Sequence, residues 1–373
     1  MQKFAESAKS VSESAKFSDG SVLDRQLLYF YIPKQIAIIA YILFWLICQW
    51  PVHLLPVLIL MKKDSARFWK TILIAIAMFV VVDITVGIVA DRLMDKLPDF
   101  SGDFAKDNYR LHRLETDVVI LGSSRGNHHY VSQQLNDSLD AYLGKHLSLY
   151  NAAISAKLAN SNSCAAEAII ARYRPKLVIY DISEDFLCED QVTDIEFSAP
   201  FYWKDTLVRR YIDGVGLKER ILMKSSIYRY NGKVFQIVST FLDSVAVDDG
   251  YVPKYGTTID TTKAKKKAKA SKPTIKKLNS YALNNFENVL KKYSSAGILL
   301  VIVSSPKFRP TDNNKRLAAI CKKHGVPFID FYGTPYFNSH PELFYDGNHL
   351  NDHGAHVFTA MFFEQLKRFL PMP

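Results

Sequence analysis

Cysteine is scarce in this 373-residue chain, and the four present, Cys48, Cys164, Cys188 and Cys321, show no C-x-x-C spacing. That argues against a disulfide framework or a thiolate zinc site and leaves scattered buried thiols, with Cys48 inside an apolar segment. A cleavable signal pattern is also missing, because no short apolar core follows the first basic residues. Acidic residues are absent from a stretch holding eight lysines between Lys263 and Lys277, and without those eight the formal charge of +10 falls to +2. A nucleic-acid reader spreads basic residues over a folded face and interleaves aromatics, so nucleic acid is not an expected partner. The lysine run reads as a solvated loop, with attraction to anionic headgroups or an acidic polymer as the functional alternative.

What the chain does have is apolar length before residue 92. Ile36 to Cys48 is unbroken, and the chain stays mostly apolar to Met61, interrupted by Pro51 and Pro56. This segment spans with a kink or lies partly in the interface. Thr71 to Ala90 is a cleaner span, long enough to cross a hydrocarbon core. Lys62, Lys63, Arg67 and Lys70 lie between the two, which puts this connection on the cytoplasmic side and everything after Ala90 outside. Asp83, within the second span, reads as an acid facing a neighbouring helix or the outer interface; the sharper alternative is contact with a membrane-embedded acyl-transfer partner.

Beyond the spans, Asp117 to Leu121 is a strand-length apolar run that breaks at Gly122-Ser123-Ser124 into a polar, helix-compatible segment containing Arg125, Gly126, Asn127, His128 and His129. An α/β fold presents a side chain in this way at the carboxyl end of a strand. A serine there needs a base, and Asp346-Gly347-Asn348-His349 supplies an Asp and a His three residues apart before a last amphipathic helix. Taken singly, each motif has an ordinary structural account, a helix cap and a turn. His349, His353 and His356 recur at i, i+4 and i+7, but Gly354 and the helix start break that face, and no metal site is assigned.

Gly122-Ser123-Ser124 followed by Asp346-x-x-His349 resembles the SGNH (GDSL-like) hydrolase superfamily, and on a membrane-anchored chain it looks like the branch containing the D-alanyl-lipoteichoic acid biosynthesis protein and polysaccharide O-acyltransferase partners. The resemblance covers roughly residues 117 to 370. It implies a three-layer, flavodoxin-like parallel sheet (the SGNH fold) behind N-terminal transmembrane helices, no cofactor, and a triad of Ser124, Asp346 and His349. It also implies an oxyanion hole. The loop that usually offers a glycine N–H holds Ala153 and Ala156 instead, and Ala in a glycine-only backbone conformation would be strained. The Gly-x-Asn-Asp block expected after the third strand is replaced by Asp181-Ile182-Ser183-Glu184-Asp185, so Asn127 or Asn160 is the candidate side-chain donor, and His128 a candidate substrate contact.

The remaining chain divides into a tail (1–34), a membrane anchor of one or two helices (35–92), a polar linker (93–116) and an SGNH-like domain (117–373). Helices Ser132–Leu143, Ser163–Tyr173, Thr274–Ser294 and Asn313–His324 alternate with strands at 147–151, 175–181, 297–303 and 327–331, which implies right-handed crossovers and a parallel sheet. A closing helix runs from about Asp352 to Phe369. An aromatic-rich insertion at about 195–245 is expected as helices over the carboxyl edge of the sheet, its rings mostly packing core with sugar stacking as the alternative. The lysine loop occupies about 261–277. The expected function is a membrane-anchored, extracytoplasmic serine esterase or O-acyltransferase working on acyl esters of a cell-surface glycan or glycolipid, possible partner of a membrane-embedded acyltransferase. The alternative is a non-catalytic accessory protein that binds such an enzyme or a glycan.

Overall fold

The computed structural model describes residues 65–96, 102–240, 249–259 and 276–371. The tail, the first apolar segment and most of the lysine loop lie outside the described residues. The chain divides into two units, Met1–Val82 and Asp83–Pro373. The first is described as the opening part of helix α1 (Ser65–Met94), the one described helix long and apolar enough to cross a membrane. At 1.5 Å per residue its 30 residues reach about 45 Å. Leu73, Ile76 and Val81 on it are exposed.

In the second unit five parallel strands form one sheet: β1 (Val118–Leu121), β2 (Leu149–Asn151), β3 (Leu177–Asp181), β4 (Leu299–Ser304) and β5 (Phe328–Asp330). Their order is β2-β1-β3-β4-β5, a flavodoxin-like layout in which the chain reverses direction beside β1. Both faces are buried, so the strands read as continuous apolar runs whose alternate side chains serve two cores. Val119 and Leu121 enter one core with α5 (Ala159–Arg172), whereas Val118 and Ile120 enter the other with the closing helix.

In chain order the helices are α2 (Gly102–His112), α3 (Ser124–His129), α4 (Ser132–Leu143), α5, α6 (Thr206–Val215), α7 (Leu217–Leu222), α8 (Ser226–Tyr230), α9 (Val234–Thr240), α10 (Ser280–Ser295), α11 (Lys315–Lys323), α12 (Pro335–Ser339) and α13 (Asp352–Leu366). One stretch carries structure that the sequence does not announce. The stretch 93–116, expected as a linker, contains α2, whose Lys106, Asp107 and Arg110 are buried. Asp107 accepts from Arg110 Nε (2.8 Å), Lys157 Nζ (3.1 Å) and Ser198 Oγ (2.7 Å), and Arg110 Nη1 reaches Ala152 O (3.3 Å) and Asn162 Oδ1 (3.0 Å). Charges that look solvated in sequence are here satisfied by each other and by partners more than 40 residues away.

The insertion is helical. It packs against α5, α10 and α2: Tyr211 Oη donates to Glu167 (2.6 Å), and Phe201 stacks on Phe104 at 5.6 Å. Phe201, Tyr202, Tyr211 and Tyr230 are buried, and Trp203 stands well exposed. Apolar helix faces bury against the nearest apolar surface, which is the helix layer here.

Candidate active site

Ser124 is placed by the end of β1. Gly122 allows β1 to lie close to β3, because a Cβ there would sit 3.0 Å from Asp181 Cβ. Gly126, one turn into α3, approaches the loop after β2 so closely that a Cβ would meet Ala153 Cβ at 2.8 Å. The hydroxyl emerges at the carboxyl edge of the sheet, where open α/β folds gather their ligands. Ser123, the N-cap of α3, makes no side-chain cap hydrogen bond, and the Ser124 hydroxyl has another partner.

That partner is His349. Its Nε2 lies 2.8 Å from Ser124 Oγ, and its Nδ1 lies 2.9 Å from both Asp346 oxygens. With Nδ1–H donating to the carboxylate, Nε2 carries the lone pair and accepts the serine proton. The Asp346 carboxylate also accepts the N–H groups of Asn348 (2.8 Å) and His349 (2.9 Å), so the turn fixes acid and imidazole together. Burial pushes the Asp346 carboxyl up, but the imidazole and these two N–H groups outweigh it and hold it below the usual carboxylate range. His353 and His356 are exposed on α13, away from the turn that holds His349, and His356 pairs with Gln134. The three do not converge.

Two more histidines frame the imidazole. His129, fully buried, accepts the Leu350 N–H at Nε2 (2.9 Å), which fixes its tautomer and lets Nδ1–H donate to Ser305 Oγ (3.1 Å). It thus ties α3 to the residue following His349. Burial and the neighbouring His349 push its ring far below the ordinary imidazole range, so it stays neutral. His128 donates Nδ1–H to Val252 O (2.7 Å), packs edge-on against His349 at 5.6 Å and lines the cleft. Burial pushes it down to about 4 despite that hydrogen bond.

The cleft beside Ser124 has a volume of about 760 Å³. Ser155 and Ala156 form part of one wall, Asp185 and Phe186 another, and Lys254 and Lys307 stand on its rim along with Asn348. Ala156 occupies the left-handed region at φ 62°, the conformation that the sequence flags as costly for a residue with a Cβ. Its N–H takes part in no hydrogen bond among the described residues. Ala153 behaves differently: it is buried, and its N–H already donates to Asn151 Oδ1 (3.1 Å), so it does not fit the oxyanion role. Asn127 and Asn160 also lie off the cleft lining. Asn127 Oδ1 accepts from Lys106 Nζ (2.9 Å), and Asn160 Oδ1 accepts from Asn285 Nδ2 (2.9 Å); both side chains cross-link buried elements. The acidic block after β3 largely points elsewhere. Asp181 accepts Tyr130 Oη inside the fold (2.8 Å), and Glu184 holds Arg316 (2.6 Å).

Sequence reasoning passed over Arg125 and the segment 249–259. Arg125 is 4% exposed, lines the cleft, bonds Ser183 and stacks between Phe186 (5.2 Å) and Tyr332 (5.1 Å). Its Nε is buried without a hydrogen-bond partner. The segment 249–259 crosses the carboxyl edge: Val252 N–H donates to Asn127 O (3.1 Å), and Asp352 N–H to Lys254 O (2.6 Å). Gly250, at φ 82°, is the visible signal, since a Cβ there would lie 2.1 Å from Asn151 O.

No protein-family model matches the chain, and no curated protein matches it. Among solved structures the chain is similar to the crystal structure of "a putative acylhydrolase" from Bacteroides fragilis, at 11% identity and a TM-score of 0.29, covering 68% of this chain and 88% of that one.

Proposed function

We propose that the chain is a membrane-anchored serine esterase or O-acyltransferase of SGNH type, acting outside the cytosol on acyl esters of a cell-surface glycan or glycolipid. The observation that carries this reading is the unbroken line from Ser124 Oγ through His349 to Asp346, with contacts of 2.8 and 2.9 Å, on the floor of an open cleft. The 2-1-3-4-5 parallel sheet and the chain order Ser124, Asp346, His349 support the SGNH assignment. The basic residues Arg67 and Lys70 at the start of α1 support an outward-facing second unit.

In this mechanism Ser124 Oγ attacks the acyl carbonyl while its proton passes to His349 Nε2. Asp346 holds the ring and stabilises the imidazolium. The carbonyl oxygen becomes an oxyanion, accepting from the Ser124 N–H, which as the first residue of α3 has no partner within the helix, and from the Ala156 N–H. The buried Arg125 guanidinium, which lines the cleft, adds positive charge to it. The tetrahedral centre then expels the alcohol, which takes the proton from Nε2 and leaves an acyl-Ser124 ester. Water, or a sugar hydroxyl, gives its proton to Nε2 and attacks that ester, releasing the acid or the new acyl ester and restoring Ser124.

A fluorophosphonate probe tests the reading. Labelling of the full chain, lost in Ser124→Ala and in His349→Gln while both variants remain folded by circular dichroism, is the expected result. No labelling of the unmodified chain would overturn the enzyme assignment and leave an accessory protein that keeps the fold.

A further inference from the structure

The portion of α1 inside the second unit carries an aspartate at a position where a lipid-facing helix has no use for one. Asp83 Oδ1 accepts from Ser225 Oγ (2.6 Å) and from the Ile227 N–H (2.8 Å), and Oδ2 accepts from the Ser226 N–H (3.0 Å). Four residues on, Gly87 lies so close to the insertion that a Cβ would come within 2.4 Å of Ser226 Oγ. Another turn on, Asp91 accepts from Tyr230 Oη (2.5 Å), and Asp95 pairs with Lys204 (2.6 Å). Residues 83, 87 and 91 recur at i, i+4 and i+8, so one stripe of the helix is fastened to the insertion. Beside that stripe Ile84, Ile88 and Val89 stay exposed.

The insertion has an apolar surface of its own next to this contact. Leu217 and Ile221, one turn apart on α7, are 68% and 55% exposed, and Ile221 lies four residues before Ser225. Trp203 is 51% exposed, and the Arg229 guanidinium that lies 5.9 Å from its ring approaches the Gly87 position to 3.9 Å. Arg209 stacks on the same ring at 5.1 Å, and Lys218 and Arg220 are exposed at side chains flanking Leu217 and Ile221. Large apolar side chains so exposed on one short insertion mark an interaction surface, and a Trp with basic neighbours is the composition of a membrane interface.

We propose that the insertion rests in the outer interface of the bilayer, with Trp203, Leu217 and Ile221 in the boundary between headgroups and acyl chains. The occupant is lipid because these side chains stand on the insertion that Asp83, Gly87 and Asp91 fasten to α1, where the neighbouring Ile84, Ile88 and Val89 are exposed. Lys218 and Arg220 meet anionic headgroups there. Asp83 is then the device that fastens the helix to the insertion at membrane depth, its charge satisfied by the hydroxyl and two N–H groups. This inference rests on the reading of α1 as a span.

The test uses the full chain, with Cys48→Ser, one copy per nanodisc of phosphatidylcholine and phosphatidylglycerol. NBD is attached at Leu217→Cys, Ile221→Cys, Val80→Cys within α1, or Glu364→Cys on the exposed side of α13. With spin-labelled lipid headgroups, emission from positions 217 and 221 should fall roughly twofold, as expected for side chains seated at the boundary, while position 364 is unchanged. Position 80 should be quenched by labels deep in the acyl chains. Quenching at 80 with none at 217 and 221 overturns the inference alone. No quenching at 80 overturns the span reading and this inference with it. In proteoliposomes of the same lipids holding several copies, disulfide cross-linking between copies through unlabelled Leu217→Cys, with no lipid quenching at 217 in the nanodiscs, assigns the patch to a second copy and also overturns the inference.

Discussion

At the scale of single residues, the proposed chemistry rests on three side chains and one backbone angle. Asp346 fixes the tautomer of His349, so Asp346→Asn is expected to keep the fold and lower the rate of fluorophosphonate labelling by about 10⁴-fold. Ala156 holds its left-handed φ of 62° without the freedom of glycine. Ala156→Gly removes about 1–2 kcal/mol of left-handed strain against about 0.4–1 kcal/mol of added freedom in the unfolded chain. Urea denaturation should therefore show a gain of about 0.5 kcal/mol, with labelling retained because the N–H stays in place. His129 acts through its neighbour: His129→Leu leaves the Leu350 N–H buried and unpartnered, a loss of about 1–3 kcal/mol readable in the same denaturation curve. Ser124, Asp346 and His349 were legible from two short motifs, since a strand break and an Asp turn are local events. The oxyanion donors were not legible, because whether Ala153 or Ala156 offers a free N–H depends on where Asn151 sends its side chain.

At the scale of elements, α2 and α13 show how distant contacts override local appearance. Burial pushes the Lys106 ammonium down to about 7 and the Lys157 ammonium down to about 8, although Asp103 and Asp107 pull the other way. Both folded values lie below that of an unfolded lysine. Between roughly pH 7 and 10.5 the unfolded chain therefore binds more protons, and stability rises with pH across that window. Lys106→Met should make that rise less steep, by up to about 1.4 kcal/mol per pH unit for one proton. In α13 the constraint is steric. A Cβ at Gly354 would lie 2.0 Å from Leu343 O, which is backbone and cannot step aside. Gly354→Ala should cost about 1–3 kcal/mol by overpacking and, since α13 follows the His349 turn directly, should also slow labelling. The sequence marks Gly354 as a break in a helical face; only the packing shows what it makes room for.

At the scale of the whole molecule, the described residues hold one long apolar helix and a five-stranded parallel sheet. Dissociation into detergent should be required to extract the full chain from membranes, and carbonate washing should leave it in the pellet; release by carbonate would count against α1 as an anchor. The sequence by itself determined the alternation of strands and helices, the apolar length of α1 and the members of the Ser124–His349–Asp346 line. Each is written in residues adjacent in the chain, where hydrophobic period, turn chemistry and span length act locally. The tertiary structure alone decided the strand order, the burial of α2, the packing of the insertion on the helix layer and the partners of Asp83. These depend on groups tens to hundreds of residues apart, where a buried charge or an apolar face takes whichever complementary surface folding brings to it, and no local pattern records that choice.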